Sequence, residues 1–206
     1  MPIRTEAAAL ATAIFLSISA FAALPAAGEP LSSDIVDAQV VDDIRLWLAN
    51  PVVGILIDAQ NKRLGSMAQD RIDALDGQWR AEREKDDQPL IAATLSNPLS
   101  IYVTQVQAGS VGLYTEIIVM DAKGLNVGQS SITSDFWQGD EAKFQKTYPV
   151  APDAVFVDEA EFHDGSGTWR AQVNLSIANA SGAAIGAVTV EVNLTELARR
   201  QALAGS

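Results

Sequence analysis

The stretch Tyr114–Ser130, YTEIIVMDAKGLNVGQS, marks the point at which the sequence changes from helical to strand-like character. Tyr114–Met120 is rich in β-branched and aromatic residues, which favour strands. Asp121–Gly124 has the composition of a tight turn, and Leu125–Ser130 is the predicted partner strand. Because a short turn joins neighbouring antiparallel strands, the stretch predicts a β-hairpin.

Three more strands are predicted after this hairpin. Ala154–Phe162 is followed by a turn, and Thr168–Ile177 and Ala184–Asn193 both place apolar residues at alternate positions. Only the connection between the second and third strands is long. The sequence therefore predicts five antiparallel strands within residues 114–193, followed by a short helix over residues 194–203.

Residues 31–107 have the apolar spacing of helices. The first apolar stripe comprises Val36, Val40, Ile44 and Trp47. Asn50 is a good N-cap and Pro51 suits the first helical position, so a second helix is predicted there. One continuous helix is predicted from Leu90 to Val106. The fold class is α+β, with long N-terminal helices packed on an antiparallel sheet.

Composition limits the function. The chain has 206 residues and a formal net charge of −12, so its surface repels phosphate backbones and we expect no nucleic-acid partner. There is no cysteine and only one histidine, His163. These counts exclude thiolate zinc sites and most histidine metal sites. We expect no cofactor and no metal.

The N-terminus predicts export. Arg4 precedes an uncharged, mostly apolar run from Ala7 to Gly28 that ends in small residues, as in a secretory signal peptide. We expect residues 1–28 to be the signal peptide, 29–206 to be one domain, and the protein to be periplasmic. Retention of this run as a membrane anchor is the alternative, since about 20 apolar residues can span a bilayer.

The long connection contains TSDFWQGDEAKFQKTY, residues 133–148, which combines aromatic, acidic and hydrogen-bonding side chains. Such a segment, closing over a sheet, supplies the apolar walls and the few polar groups that a small-molecule site needs. Capping and packing explain the same residues equally well, because Ser134 or Asp135 can start a short helix.

The sequence resembles the PDC or Cache class of extracytoplasmic, PAS-like sensor domains. The resemblance rests on VMDAKGLNVGQSSITSDFWQGDEAKFQKTY (119–148), VFVDEAEF (155–162) and IGAVTVEVNL (185–194). It covers roughly residues 33–203 and implies a five-stranded sheet with a small-molecule ligand between the sheet and the crossover segment. The arginine-containing amino-acid motif of double-module members has no clear match here, so the ligand class stays open.

The candidate ligand-binding residues follow from the crossover segment and this resemblance: Ser130, Thr133, Asp135, Phe136, Trp137, Gln138, Asp140, Glu141 and Tyr148. The aromatic members can form walls, the hydroxyl and amide groups can hydrogen-bond, and the carboxylates can hold an amine or a cation. Calcium binding by Asp121 and these carboxylates is an alternative, although the spacing is not that of an EF-hand.

The interpretation is an exported sensor protein that binds a small molecule and is not an enzyme. The sequence ends at Ser206 without a signalling domain, so we expect it to act in trans on a membrane histidine kinase or chemoreceptor. The first alternative is a ligand-free interaction module of the same fold, which dimerises through its N-terminal helix. The second is a hydrolase that depends on carboxylates or a metal.

Overall fold

The structure, a computed structural model, describes residues 30–205. A short 3-10 helix, Ser33–Ile35, comes first. The α-helices are α1 (Ala38–Leu48), α2 (Pro51–Leu64), α3 (Gln69–Glu82), α4 (Pro89–Leu95), α5 (Pro98–Gly109), α6 (Ala142–Gln145) and α7 (Leu194–Ala204). The strands are β1 (Tyr114–Asp121), β2 (Asn126–Gln129), β3 (Val155–Val157), β4 (Glu161–His163), β5 (Thr168–Ala178) and β6 (Ala184–Asn193).

Asparagine–proline pairs start two of the helices. Asn50 accepts a hydrogen bond from the Val52 amide and Pro51 opens α2, as predicted. Asn97 accepts one from the Ser100 amide and Pro98 opens α5 in the same way. The prediction of one helix from Leu90 to Val106 is therefore wrong, because proline disfavours helical geometry in the residue before it.

The sheet is antiparallel, with strand order β2-β1-β6-β5-β3 and with β4 also paired to β5. The α+β class with helices before an antiparallel sheet is confirmed, and so is the turn Asp121–Gly124, where Gly124 has a φ of 80°. The stretch predicted as a single third strand forms β3 and β4, which both pair with β5 but are separate. The sheet consequently has six strands rather than five.

The two faces of the sheet differ in character because side chains alternate along each strand. One face, the helix-side face, packs Ile117, Val119, Val173, Val188 and Val190 against α1, α2, α5 and α7 in the main core. The opposite face, the loop-side face, carries polar residues on β5 and β6, among them Arg170, Gln172, Asn174, Thr189 and Glu191.

A second, smaller core lies beside the main one. Ile72 and Trp79 of α3 pack with Ile91 of α4, Leu125 and Phe136. This core joins helices α3 and α4 to the end of the sheet that carries β2.

The predicted signal peptide, residues 1–28, lies outside the described residues. Within residues 30–205, no helix combines the length and the apolar character needed to cross a membrane.

Candidate functional site

The first part of the crossover segment, Thr133–Gln138, is attached to helix α3. Asp76 Oδ1 accepts hydrogen bonds from the amides of Phe136 at 2.8 Å and Trp137 at 3.1 Å. The Phe136 ring stacks on Trp79 at 5.3 Å, and Trp79 Nε1 donates to the Thr133 carbonyl at 3.0 Å. This part of the segment is thus held at the edge of the sheet by a helix.

The side chains of Ser130 and of the predicted hydrogen-bonding residues in this part already form hydrogen bonds or ion pairs within the protein. The carbonyl oxygen of Asp135 accepts from Thr133 Oγ1 at 2.6 Å, from Gln138 Nε2 at 3.0 Å and from Asn126 Nδ2 at 3.1 Å. Ser130 Oγ accepts from the Ile117 amide. The Asp135 carboxylate pairs with Arg80 at 3.1 Å. These contacts fix the backbone of the segment.

Trp137 secures the turn of the β1–β2 hairpin. Its Nε1 donates to the Lys123 carbonyl at 2.8 Å. Gly139 packs so closely that a Cβ atom there would meet the Trp137 ring, and a Cβ on Gly124 would lie 2.6 Å from the Gly139 Cα. Asp140, which follows, is exposed. The tryptophan therefore has a structural role between the hairpin turn and the crossover segment.

The second part, Glu141–Tyr148, covers the loop-side face of the sheet. Phe144 is buried against Ile118 and Met120 of β1. Tyr148 stacks on Phe144 at 5.3 Å between ring centroids. This part of the segment therefore lies over the sheet, as the sequence predicts for a covering segment.

A cavity of about 210 Å³, here called the charged hollow, opens beside this cover. Its charged and amide-bearing lining residues are Glu141, Asp158, Glu159, Glu161, Arg170, Gln172 and Glu191. Arg170 Nη1 and Glu191 Oε2 form a half-buried ion pair at 2.8 Å, and Lys143 Nζ lies 3.1 Å from Glu141 Oε2. Carboxylates outnumber cationic groups in the lining, so the hollow favours a cation over an anion.

Glu116 of β1 is paired with Glu191 of β6 in the register of the sheet, and both side chains are on the loop-side face. Burial raises the pKa of the Glu116 carboxyl above the ordinary value, and the neighbouring Glu191 adds to this, while a hydrogen bond from Ser131 and the charges of Lys143 and Arg170 act in the opposite direction. The buried carboxyl of Glu116 therefore takes up a proton more readily than an exposed glutamate does.

The structure separates the sequence-predicted residues. Glu141 lines the charged hollow, whereas Phe136 borders a separate cleft among α2, α3 and α4. The remaining seven residues line neither, and contact between any of the nine and a ligand stays a prediction. Sequence reasoning missed Arg170, Gln172 and Glu191, although their alternation with buried apolar residues on β5 and β6 was a usable signal.

Asp121, from the calcium alternative, and the single histidine, His163, have structural partners. Asp121 Oδ1 accepts from the amides of Lys123 and Leu125 in the hairpin turn. The His163 ring contacts Ser166 Oγ at 2.9 Å within the turn between β4 and β5. Among residues 30–205, no three His, Cys, Asp or Glu side chains are grouped so that they could hold a metal ion.

No model of a known protein family matches the chain, and no curated protein matches it significantly. Solved structures of sensory domains are similar to it. For the ligand-binding domain of the Pseudomonas aeruginosa PAO1 amino acid chemoreceptor PctC, in complex with GABA, the identity is 16% and the TM-score 0.36, over 77% of this chain and 58% of that one. For the sensory domain of the Campylobacter jejuni chemoreceptor Tlp3, the identity is 13% and the TM-score 0.38, over 69% and 59%.

The ligand-binding domain of the Pseudomonas fluorescens chemoreceptor CtaA, in complex with L-serine, is 13% identical, with a TM-score of 0.33 over 76% of this chain and 62% of that one. The chain spans about three fifths of the length of these solved chains. All three are ligand-binding or sensory domains of chemoreceptors. At these identities and TM-scores, the similarity assigns no ligand, partner or activity to this chain.

Proposed function

We propose that this chain is an exported, periplasmic sensor protein without catalytic activity, which binds a small, positively charged molecule in the charged hollow. It reports the bound state in trans to a membrane histidine kinase or chemoreceptor. The observation that carries the proposal is the meeting of Glu141, from the crossover segment, with Gln172 and Glu191 of the sheet around one cavity.

The chemistry of the lining supports a cationic ligand. Five carboxylates face one guanidinium, and the Arg170–Glu191 and Lys143–Glu141 pairs leave the carboxylates of Asp158, Glu159 and Glu161 in excess. An ammonium group would therefore meet favourable electrostatic potential. The volume of about 210 Å³ is below the ~300–1,000 Å³ of drug-sized sites, which favours a small amine.

Strand β6 and helix α7 connect the charged hollow to both ends of the described chain. Glu191 lies near the end of β6, which continues without a loop into α7. Gln201 Nε2 of α7 donates to the Ile35 carbonyl at 3.0 Å, so α7 and the start of the described chain are connected. A ligand that prefers one arrangement of β6 and α7 would shift the population of that arrangement, which a partner protein can read.

A thermal-shift screen of the purified protein tests the ligand class. The screen pairs small primary amines and quaternary ammonium compounds with uncharged alcohols of the same size. Saturable stabilisation by the cations alone is expected, following RT ln(1 + [L]/Kd), or about 2.7 kcal/mol at a hundredfold excess over Kd. The double variant Glu141→Gln/Glu161→Gln should bind the best amine more weakly, because two lining charges are lost.

Glu84→Gln/Asp86→Asn is the matched control, because these two exposed carboxylates lie outside the hollow and the substitutions also remove two negative charges. Equal weakening in the control and the double variant would mean that net charge, rather than the hollow, attracts the amine. Absence of any saturable cation in a broad screen would refute the proposed ligand class.

Export is tested separately. Mass spectrometry of the full chain recovered from the periplasmic fraction should show removal of about 28 residues, as expected for a cleaved signal peptide. Recovery of the intact chain in the membrane fraction would favour the anchor. Recovery in the cytoplasm would refute export.

An interaction module is the second candidate, because large apolar side chains are exposed on the helices. Leu46 of α1 is 77% exposed, Ile55 of α2 is 64% exposed and Ile101 of α5 is 51% exposed. Analytical ultracentrifugation at micromolar concentration distinguishes this candidate. A dimer that Leu46→Glu dissociates, with no ligand found in the amine screen, would favour it over the sensor.

A further inference from the structure

A second cavity, of about 410 Å³, lies on the other side of the sheet from the charged hollow. We call it the helix-layer cleft. Apolar side chains from α2, α3, α4 and the adjoining segments form its walls: Leu56, Leu64, Met67, Leu75, Leu90 and Phe136. Its volume lies within the range of ~300–1,000 Å³ that is typical of small-molecule sites.

The cleft exists because one of its walls is short and is lined by small residues. Helix α4 has only seven residues and ends before Asn97–Pro98. Ala59 of α2 and Ala93 of α4 line the space where longer side chains would fill it. The carboxylate of Glu82 accepts hydrogen bonds from the amides of Leu90 and Ile91, at 2.7 and 3.0 Å, and so holds the start of α4 in place. The cleft is thus a built feature of the helical layer.

The charge of the cleft is opposite to that of the protein. Among residues 30–205, Arg63 and Arg71 are the only charged residues that line it, whereas the whole chain has a net charge of −12. Within the described part of the chain, neither guanidinium forms an ion pair, and the Arg63 guanidinium donates a hydrogen bond to the neutral Gln60 Oε1 at 3.4 Å. Two unpaired arginines beside an apolar wall suit a carboxylate, which a guanidinium binds with paired hydrogen bonds.

We propose that the helix-layer cleft binds a small organic monocarboxylate with an apolar body, independently of the amine proposed for the charged hollow. The apolar body packs against Leu75, Leu90 and Phe136, and the carboxylate meets Arg63 and Arg71. The inference goes beyond the proposed function, because the two sites differ in their lining residues, in the charge of the ligand and in the face of the sheet that they border.

Calorimetric titration of the purified full chain with octanoate tests this inference. Saturable binding with a stoichiometry of one is expected. In the double variant Arg63→Gln/Arg71→Gln we expect binding at least about tenfold weaker, which corresponds to ~1.4 kcal/mol. Lys62→Gln/Lys85→Gln is the matched control, because both residues are exposed, neither lines the cleft, and the substitutions also remove two positive charges. It should bind octanoate as the unsubstituted protein does.

A blocking variant tests the location of the site. Ala93→Phe places a large apolar side chain at the rim of the cleft without removing any polar contact, so it should abolish octanoate binding while the melting temperature is retained. Octanol should bind much more weakly than octanoate, since it lacks the charge.

Failure of octanoate to bind, equal binding by the double arginine variant, or equal affinity for octanol would each overturn the proposal. None of these results bears on the amine site, because the variants lie outside the charged hollow. Conversely, loss of amine binding in Glu141→Gln/Glu161→Gln should leave octanoate binding unchanged.

Discussion

Asp76 is the residue on which the position of the crossover segment depends most directly. It is buried on α3, and its Oδ1 accepts the amide hydrogens of Phe136 and Trp137 at 2.8 and 3.1 Å. Its Oδ2 pairs with Arg80 at 2.6 Å. Two substitutions separate these roles: Asp76→Ala removes both, whereas Asp76→Asn keeps an acceptor oxygen for the two amides and removes the charge.

The expected magnitudes follow from these contacts. In Asp76→Ala, two backbone amides lose their acceptor, and a buried unsatisfied donor costs about 1–3 kcal/mol. The amide of buried Phe136 bears most of this cost, so we expect the free energy of unfolding to fall by about 2–4 kcal/mol. In Asp76→Asn, the loss is confined to the pair with Arg80, whose side chain is 56% exposed, and such pairs contribute about 0–1 kcal/mol.

Urea unfolding followed by circular dichroism measures both free energies. In thermal melts, a loss of 1 kcal/mol lowers the melting temperature by ~2–4 °C in a domain of this size. Native-state hydrogen exchange gives the local result, because the amides of Phe136 and Trp137 should exchange faster in Asp76→Ala than in Asp76→Asn. The amide of Val190, paired within the sheet, is the internal reference.

Two results would refute this reasoning. If Asp76→Asn destabilises the protein as much as Asp76→Ala, the charge rather than the acceptor oxygen holds the segment. If Asp76→Ala leaves both the unfolding free energy and the exchange of Phe136 unchanged, then α3 does not anchor the crossover segment.

Three further predictions concern individual residues. Gly139→Ala should destabilise the protein, because the new Cβ would meet Trp137 and lie 2.9 Å from the Lys123 carbonyl oxygen. Gly77→Ala in α3, where a Cβ would have no atom within 4 Å, should instead raise the unfolding free energy by about 0.5–1 kcal/mol. Urea unfolding of both variants measures the contrast, and similar losses of stability in both would contradict it. Burial raises the pKa of Glu82, but hydrogen bonds from Gln78 and from the amides of Ile91 and Leu90 outweigh it, so its pKa lies below 4.5. The stability that this carboxylate contributes is therefore present above pH 4.5 and is lost as the pH falls through the folded-state pKa. The difference in unfolding free energy between the unsubstituted protein and Glu82→Gln should consequently shrink in acid. A difference that does not depend on pH would refute the lowered pKa of Glu82. Burial raises the pKa of Glu116, so the folded state favours its protonated form, and stability falls as the pH rises from 4.5 through the raised value. Glu116→Gln should remove this fall in the unfolding free energy, which urea unfolding curves collected across the same pH range would measure. If the variant lost more stability with rising pH than the unsubstituted protein, the direction of the pKa shift would be wrong.

The helix starts and the hairpin could be predicted because their signals are local. Asn50–Pro51 begins α2 through a contact between residues two apart, and the turn Asp121–Gly124 needs only its own four residues. The same signal at Asn97–Pro98 was present in the sequence, but the continuous apolar character of the flanking residues favoured one long helix. Local chemistry was the better guide there, since proline restricts the residue before it whatever the apolar pattern.

The crossover segment could be predicted only in outline. Its aromatic and acidic composition indicated a covering segment, and Phe144 and Tyr148 do cover the loop-side face. Its division into two parts depends on Asp76 and Trp79, which lie more than fifty residues earlier in the chain. The spacing of residues within the segment does not indicate that Asp76 and Trp79 bind it.

The sequence by itself determined the α+β class, the placement of helices before the sheet and the alternation that makes one sheet face apolar, because periodicity, capping and turn chemistry act between residues that are close in the chain. Only the tertiary structure decided which polar side chains meet. Glu141 lines one cavity with Gln172 and Glu191, and Arg63 lines another with Arg71, because separate elements pack against each other. Both candidate sites arise from that packing, since a cavity is defined by the distance between elements rather than by any one of them.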